Sequence, residues 1–165
     1  MLFRSSKALG GVGGFITGKK EIIELLNFYS RSYMFSTAMS PATCASLLAA
    51  IDVIETEPEI RDKLWNNIFY FRQQLKTLGF NIGNSETAIF PIIIGDDFQT
   101  KEICRELHEM NIYVNPVLYP AVPKKLARVR ISLMSNHEKK HLDAALNALE
   151  YLGKKYSIKI GRAHV

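Results

Sequence analysis

Cysteine is nearly missing from this chain: Cys44 and Cys104 stand far apart, each inside an apolar helical pattern. That usage argues against a disulfide framework and for reduced, buried thiols in a cytosolic protein. Uninterrupted apolar runs of about 18 residues are missing too, so no membrane span is expected. The first residues, Met1-Leu2-Phe3-Arg4-Ser5-Ser6, lack the apolar core of a signal peptide. Acids are scarce towards the end: Lys124 to Arg162 holds ten Lys/Arg against Glu138, Asp143 and Glu150, in a chain of net charge +5. Such a stretch suits a solvated basic face, or attraction of nucleic acid, anionic lipid or a phosphorylated small molecule. No aromatic interleaving accompanies the charges, which makes nucleic acid the weakest of these partners. No metal is expected. What remains is ordinary for a soluble globular chain, with 47% hydrophobic and 22% charged residues. Its 165 residues suffice for one domain with a core, or one domain and part of another.

The chain changes texture as it runs. Gly10-Gly11-Val12-Gly13-Gly14 suits turns and close backbone approach, with a short strand at Phe15-Ile16-Thr17. Ile22, Ile23, Leu25 and Leu26 predict a short amphipathic helix over 19–28, and 29–40 reads as loop. Pro41 opens a long helix with Leu47, Leu48, Ile51 and Ile54 at helical spacing. Thr56-Glu57-Pro58-Glu59 has the capping-box pattern for a second helix, whose apolar stripe is Leu64, Trp65, Ile68, Phe69, Phe71 and Leu75. Gly79 is its natural stop. Residues 88–94 form an apolar β-branched run, a buried strand in which Pro91 implies an edge or a bulge. Ile103, Cys104, Leu107 and Met110 predict a helix over 100–110, and Ile112-Tyr113-Val114 a strand. Val129, Ile131 and Leu133 alternate onto one strand face. Ser135-Asn136-His137-Glu138 is a second capping-box pattern, before a helix with Leu142, Leu146 and Leu149 inward. The expected fold is α/β in two layers: a small, mainly antiparallel sheet covered by helices.

Ser6-Lys7-Ala8-Leu9-Gly10-Gly11 is the first segment able to carry chemistry. A lysine among small residues can form a Schiff base with a cofactor aldehyde, because the backbone can come close. On composition alone the surface-lysine reading of Lys7 outweighs the catalytic one. Four segments together resemble the α-oxoamine synthase family of fold-type I pyridoxal-phosphate enzymes. They are Ser6–Phe15; Phe35-Ser36-Thr37-Ala38-Met39-Ser40-Pro41; Asn115-Pro116-Val117 with Pro120-Ala121-Val122-Pro123; and Arg128-Val129-Arg130-Ile131-Ser132-Leu133-Met134 with His137. They occur in the family's order, over about residues 6–156. Within the family, the third and fourth resemble serine-palmitoyltransferase-like members slightly more than 8-amino-7-oxononanoate synthases.

The resemblance implies a C-acyltransferase. Glycine, alanine or serine would condense with an acyl-CoA to give an α-oxoamine, with release of CoA. Lys7 would hold pyridoxal phosphate and then take the amino acid's α-proton. Ser36 and Thr37 would reach across a homodimer interface to the neighbouring subunit's cofactor phosphate. Without the resemblance they read as loop hydroxyls bonded to nearby backbone. Arg130, with Arg128 on the same strand face as fallback, would bind the amino acid's carboxylate; both otherwise read as exposed strand residues. His137 reads as a helix-start residue. The basic C-terminal half would draw CoA phosphates.

Departures from the family pattern have their own implications. Arg4 stands where the family has threonine, residues 1–5 match nothing in the family, and 161–165 looks vector-derived. The family's ring-stacking histidine, its aspartate for the pyridine nitrogen and its glycine-rich phosphate turn all precede the lysine. The chain is therefore expected to divide into 1–40, a remnant of a large cofactor-binding domain; 41–160, a C-terminal small domain with its linking helix; and the tail. By itself it is expected not to bind the cofactor productively. An aminotransferase of class I/II, or a non-catalytic dimerising α/β module, is the alternative.

Overall fold

The computed structural model describes the backbone of residues 2–4 and the whole of residues 9–158. It divides into two compact units, 1–58 and 59–165.

In the first unit, β1 (Leu2–Arg4) pairs antiparallel with β2 (Gly14–Ile16), Phe3 opposite Phe15. Helix α1 (Lys20–Tyr29) forms as its periodicity predicts, yet buries no residue. The stretch expected as loop contains a single helical turn, α2 (Arg31–Met34). Its cause is Ser30, whose Oγ accepts from the Tyr33 N–H at 3.4 Å and so satisfies a first-turn donor. Ser40 does the same for α3 (Pro41–Thr56), accepting from the Thr43 N–H at 3.2 Å, with Pro41 in the first turn. Leu47 is the one residue α3 buries, and Gly11 lies against it. A Cβ on Gly11 would stand 2.5 Å from Leu47 Cδ2, so any larger residue would have to displace the Leu47 side chain. Little else is covered: Val12, Phe28, Tyr29, Tyr33 and Phe35 are each more than two-thirds exposed. Cys44, expected to be buried, is also exposed.

The second unit has the expected core. Helix α4 (Pro58–Thr77) starts where the capping-box pattern indicates. Thr56, however, ends α3, its hydroxyl donating to the Asp52 carbonyl at 2.7 Å instead of capping α4. Ile68, Phe71 and Leu75 face inward, whereas Trp65 and Phe69 are 41% and 58% exposed. Those two lie one residue along from the inward stripe, about 100° around the helix. Gly79, at φ +77°, stops the helix, and the Phe80 N–H bonds back to the Leu75 carbonyl at 3.0 Å.

Three antiparallel strands, β3 (Ile89–Gly95), β4 (Asn115–Val117) and β5 (Ala127–Ser132), form a sheet in the order β3-β5-β4. Pro91 lies on an edge strand, as expected, and the register slips between Ile93 and Gly95. Phe90 and Ile92 of β3 and Ala127, Val129 and Ile131 of β5 are buried beneath the helices. Phe71 meets Phe90 edge-on at 5.5 Å. Leu133, just past β5, joins them as predicted.

Two expected boundaries move. Helix α5 (Asp97–Glu109) is capped by Asp96 and buries Ile103, Cys104 and Leu107, while Met110 ends it 40% exposed. The strand expected at 112–114 forms three residues later, as β4. The Ile112 N–H returns to the Leu107 carbonyl at 2.8 Å, and the Val114 carbonyl accepts from His108 Nε2 at 2.8 Å. The end of α5 therefore takes backbone groups that sheet pairing would need. Likewise α6 (Lys139–Lys155) starts after the Ser135–Glu138 pattern, with Glu138 and His141 forming its capping box. Residues 134–137 are held as a turn, because the Asn67 amide donates to the Met134 and His137 carbonyls at 3.2 and 2.9 Å. Leu142, Leu146 and Leu149 face inward as predicted.

Candidate functional site

One face of the sheet is covered by helices and the other is open. Strand β5 alternates, so that Arg128, Arg130 and Ser132 project from the open face. Strand register sets their neighbours. Arg130 lies between Asn115 on β4 and Pro91 on β3, and Arg128 between Val117 and Ile93. The open face is thus a basic stripe with an apolar edge, where Ile89 is 42% exposed.

The two arginines differ in engagement. Arg128 turns back on its own strand, its Nε donating to the Leu126 carbonyl at 3.0 Å. Arg130 reaches across the sheet, donating from Nη2 to Asn115 Oδ1 at 3.2 Å. Neither forms an ion pair among the described residues. A guanidinium has five N–H donors, so Arg130 keeps most of them, and its whole charge, for an incoming anion. A carboxylate is the anion that such a fork binds in two places at once. The bond to Asn115 was not legible as such: the residue is prominent in its motif, but its partner appears only once the register of β4 against β5 is known.

Ser36 and Thr37 follow α2 in the first unit and are exposed. The Ser36 N–H bonds to the Tyr33 carbonyl at 3.4 Å, but neither hydroxyl has a partner among the described residues. They are neutral donors free to meet an anion such as a phosphate. Lys7 lies outside the described residues. His137 sits just before α6, its Nδ1 accepting from the Met134 N–H at 3.3 Å, consistent with a helix-start position. A hollow of about 350 Å³ lies elsewhere, between α4 and α6, lined by Tyr70, Gln74, Asp143 and Glu150; it contains none of these residues.

Residues 5–149 match the family model described as aminotransferase class I and II. The chain is 45% identical over 153 residues to 8-amino-7-oxononanoate synthase of Thermoanaerobacter pseudethanolicus, covering 93% of this chain and 39% of that protein. It is 42% identical over 149 residues to the enzyme of the same name from Petrotoga mobilis, covering 90% of this chain and 38% of that protein. Among solved structures, serine palmitoyltransferase of S. paucimobilis superposes with a TM-score of 0.86 at 26% identity, over 95% of this chain and 40% of that one. That structure carries a pyridoxal-phosphate–myriocin adduct. The 8-amino-7-oxononanoate synthase of Francisella tularensis superposes with a TM-score of 0.80 at 26% identity, over 94% of this chain and 45% of that one. The chain thus spans about two-fifths of the length of the relatives it matches.

Proposed function

The chain belongs to the class I and II aminotransferase family, and from that premise we propose that its protein is a C-acyltransferase of the α-oxoamine synthase kind. It joins glycine, alanine or serine to an acyl-CoA and releases CoA. The relatives support this branch of the family, being named 8-amino-7-oxononanoate synthase and serine palmitoyltransferase. The structural observation that carries the reading is Arg130, a guanidinium without an ion-pair partner among the described residues, held on the open face of β5. An amino acid's carboxylate has the charge and shape to occupy it.

Pyridoxal phosphate, when bound, supplies the electron sink for the amino acid's α-carbanion. The described residues fit one part of it: the unengaged hydroxyls of Ser36 and Thr37 suit its phosphate. Lys7 is assigned the covalent hold on the cofactor and the removal of the α-proton. Arg130 fixes the amino acid by its carboxylate, leaving the α-carbon free to meet the thioester. We assign residues 1–40 to a large cofactor-binding domain and 41–160 to a small one. The chain alone is then insufficient for productive cofactor binding. Visible absorbance from added pyridoxal phosphate, lost in Lys7→Ala, would contradict that.

A homodimer is part of the same reading. The exposed Phe28, Tyr29, Tyr33 and Phe35 form the kind of apolar surface that another chain segment or subunit covers. No helix among the described residues is long and apolar enough to cross a membrane, and a cytosolic location accords with two free cysteines. The basic residues from Lys124 onward are assigned to attracting CoA phosphates, which salt-insensitive acyl-CoA binding would refute.

The deciding experiment uses the product of the whole reading frame that contains this chain. Incubated with pyridoxal phosphate, each of the three amino acids and acyl-CoAs of increasing length, it should release free CoA thiol. Keto-acid-dependent amino transfer without CoA release would establish an aminotransferase instead. Neither activity with any donor would favour a non-catalytic module.

A further inference from the structure

We propose that Asn115 is a positioning residue for Arg130, orienting the guanidinium while leaving its charge available to the substrate. This rests on the reading of Arg130 as the carboxylate-binding group. Asn115 stands directly opposite Arg130 in the β4–β5 register, and its Oδ1 is the one side-chain acceptor Arg130 meets among the described residues, at 3.2 Å. The neighbour on the other side, Pro91, offers no side-chain acceptor. Arg130 is an exposed, long and flexible side chain, so without an anchor it would sample many rotamers.

Asn115 is itself fixed on both sides. Pro116 follows it, which confines its backbone to the extended region. Val114 precedes it, 2% exposed, its carbonyl accepting from His108 Nε2 at 2.8 Å. The His108 ring in turn stacks on Tyr113 at 5.0 Å. The anchor therefore has a rigid base in the turn between α5 and β4.

The choice of amide is informative. Aspartate has the same shape and a stronger acceptor, and would hold Arg130 at least as firmly. It would also neutralise the guanidinium and compete with an incoming carboxylate. Asparagine takes one donor and leaves the charge whole.

Aspartate therefore separates positioning from support of the fold. The test compares wild type, Asn115→Ala, Asn115→Asp and Arg130→Gln in the product of the whole reading frame. The readouts are steady-state constants for amino acid and acyl-CoA, calorimetric titration with glycine, L-alanine and L-serine, and melting temperature. Losing one hydrogen bond to a charged group should raise the amino-acid KM and Kd of Asn115→Ala about tenfold, with kcat and the acyl-CoA KM within about twofold. Asn115→Asp should be worse, about a hundredfold, at an unchanged melting temperature. A purely structural role predicts that aspartate behaves as wild type, and that result would overturn the proposal. Should Asn115→Asp fail to fold, an unchanged amino-acid Kd in Asn115→Ala overturns it equally. If Arg130→Gln leaves amino-acid binding intact, the reading of Arg130 fails and this inference with it. If Arg130→Gln weakens binding while both Asn115 variants do not, the inference about Asn115 alone fails.

Discussion

Lys155 of α6 donates to the carboxylate of Glu106 on α5 at 2.7 Å, and the Tyr156 hydroxyl donates to its other oxygen. Glu106 is almost wholly covered, so its charge needs both partners. The Lys155 bond first, and the Tyr156 bond second, hold its carboxyl below the usual carboxylate range. Glu106 raises Lys155 and Tyr156 above theirs. A depressed carboxyl contributes stability above its ordinary pKa and loses it as pH falls; a raised lysine loses its share only in strong alkali. Glu106→Gln should therefore lower the melting temperature by roughly 3–6 °C at neutral pH. The gap between variant and wild type should close as pH falls below about 4.5, where wild-type Glu106 takes up its proton. Scanning calorimetry at several pH values tests this; a gap independent of pH would show that the charge does not matter.

The second unit was more legible than the first because its pattern is set by its own core. Phe90, Ile92, Val129 and Ile131 alternate in sequence and are buried together. In α1 a similar apolar spacing produced a helix with nothing buried, since periodicity predicts a face but not what covers it. The boundaries that moved did so because side chains intervened over long separations. Asn67 holds the turn at 134–137 from far upstream, and no local pattern contains that bond. Residues Ile112–Val114 look like a strand, but the end of α5 claims the Ile112 N–H and the Val114 carbonyl. The open face of β5 could be read from alternation alone, which puts Arg128 and Arg130 on one side of the strand. Their different engagements depend on strand register and could not be read that way.

His137 should make the turn before α6 sensitive to acid. Its Nδ1 accepts from the Met134 N–H at 3.3 Å, which requires the unprotonated nitrogen. Burial first, and the neighbouring His141 second, hold its pKa below the ordinary imidazole value. His141 Nδ1 likewise accepts from the Glu138 N–H, at 3.1 Å. Lys63 and Lys140 act on Glu138 at the same corner, and α4 contributes the neutral Asn67. A depressed histidine is neutral in the folded state and charged in the unfolded one just below its ordinary pKa, so stability falls as pH falls. Melting temperature should be flat from about pH 8 to 7 and decline below about 6.5. In His137→Asn the decline between about pH 6.5 and 5 should be shallower. An unchanged slope would assign the decline to other groups.

Gly153 sits inside α6, where glycine costs about 1 kcal/mol relative to alanine. Its place is explained by Phe80, whose ring carbon Cζ would lie 3.0 Å from a Cβ there. Phe80 is 5% exposed and has little room to withdraw. Overpacking of this kind costs about 1–3 kcal/mol, which outweighs the helical gain. Gly153→Ala should therefore be neutral to destabilising by about 2 kcal/mol. With Phe80→Leu in the background, the same substitution should become stabilising. Denaturant unfolding of the four proteins in this cycle supplies the coupling; strict additivity would show that the ring does not constrain the glycine.

The two cysteines should react at very different rates, although the sequence presents them alike. Cys104 is on the buried side of α5, and burial pushes its thiol up to about 11. At pH 8 a thiol of that pKa is about a thousandth ionised, and reagent must also reach it through packed side chains. Cys44 is exposed on α3. A chromogenic thiol reagent at pH 8 should titrate one equivalent quickly in the native chain and the second only after denaturation. In Cys44→Ser the fast equivalent should vanish, and in Cys104→Ala it should persist at the same rate. Two fast equivalents would mean that α5 opens readily, and that the helix layer over β3 and β5 is far less stable than its packing implies.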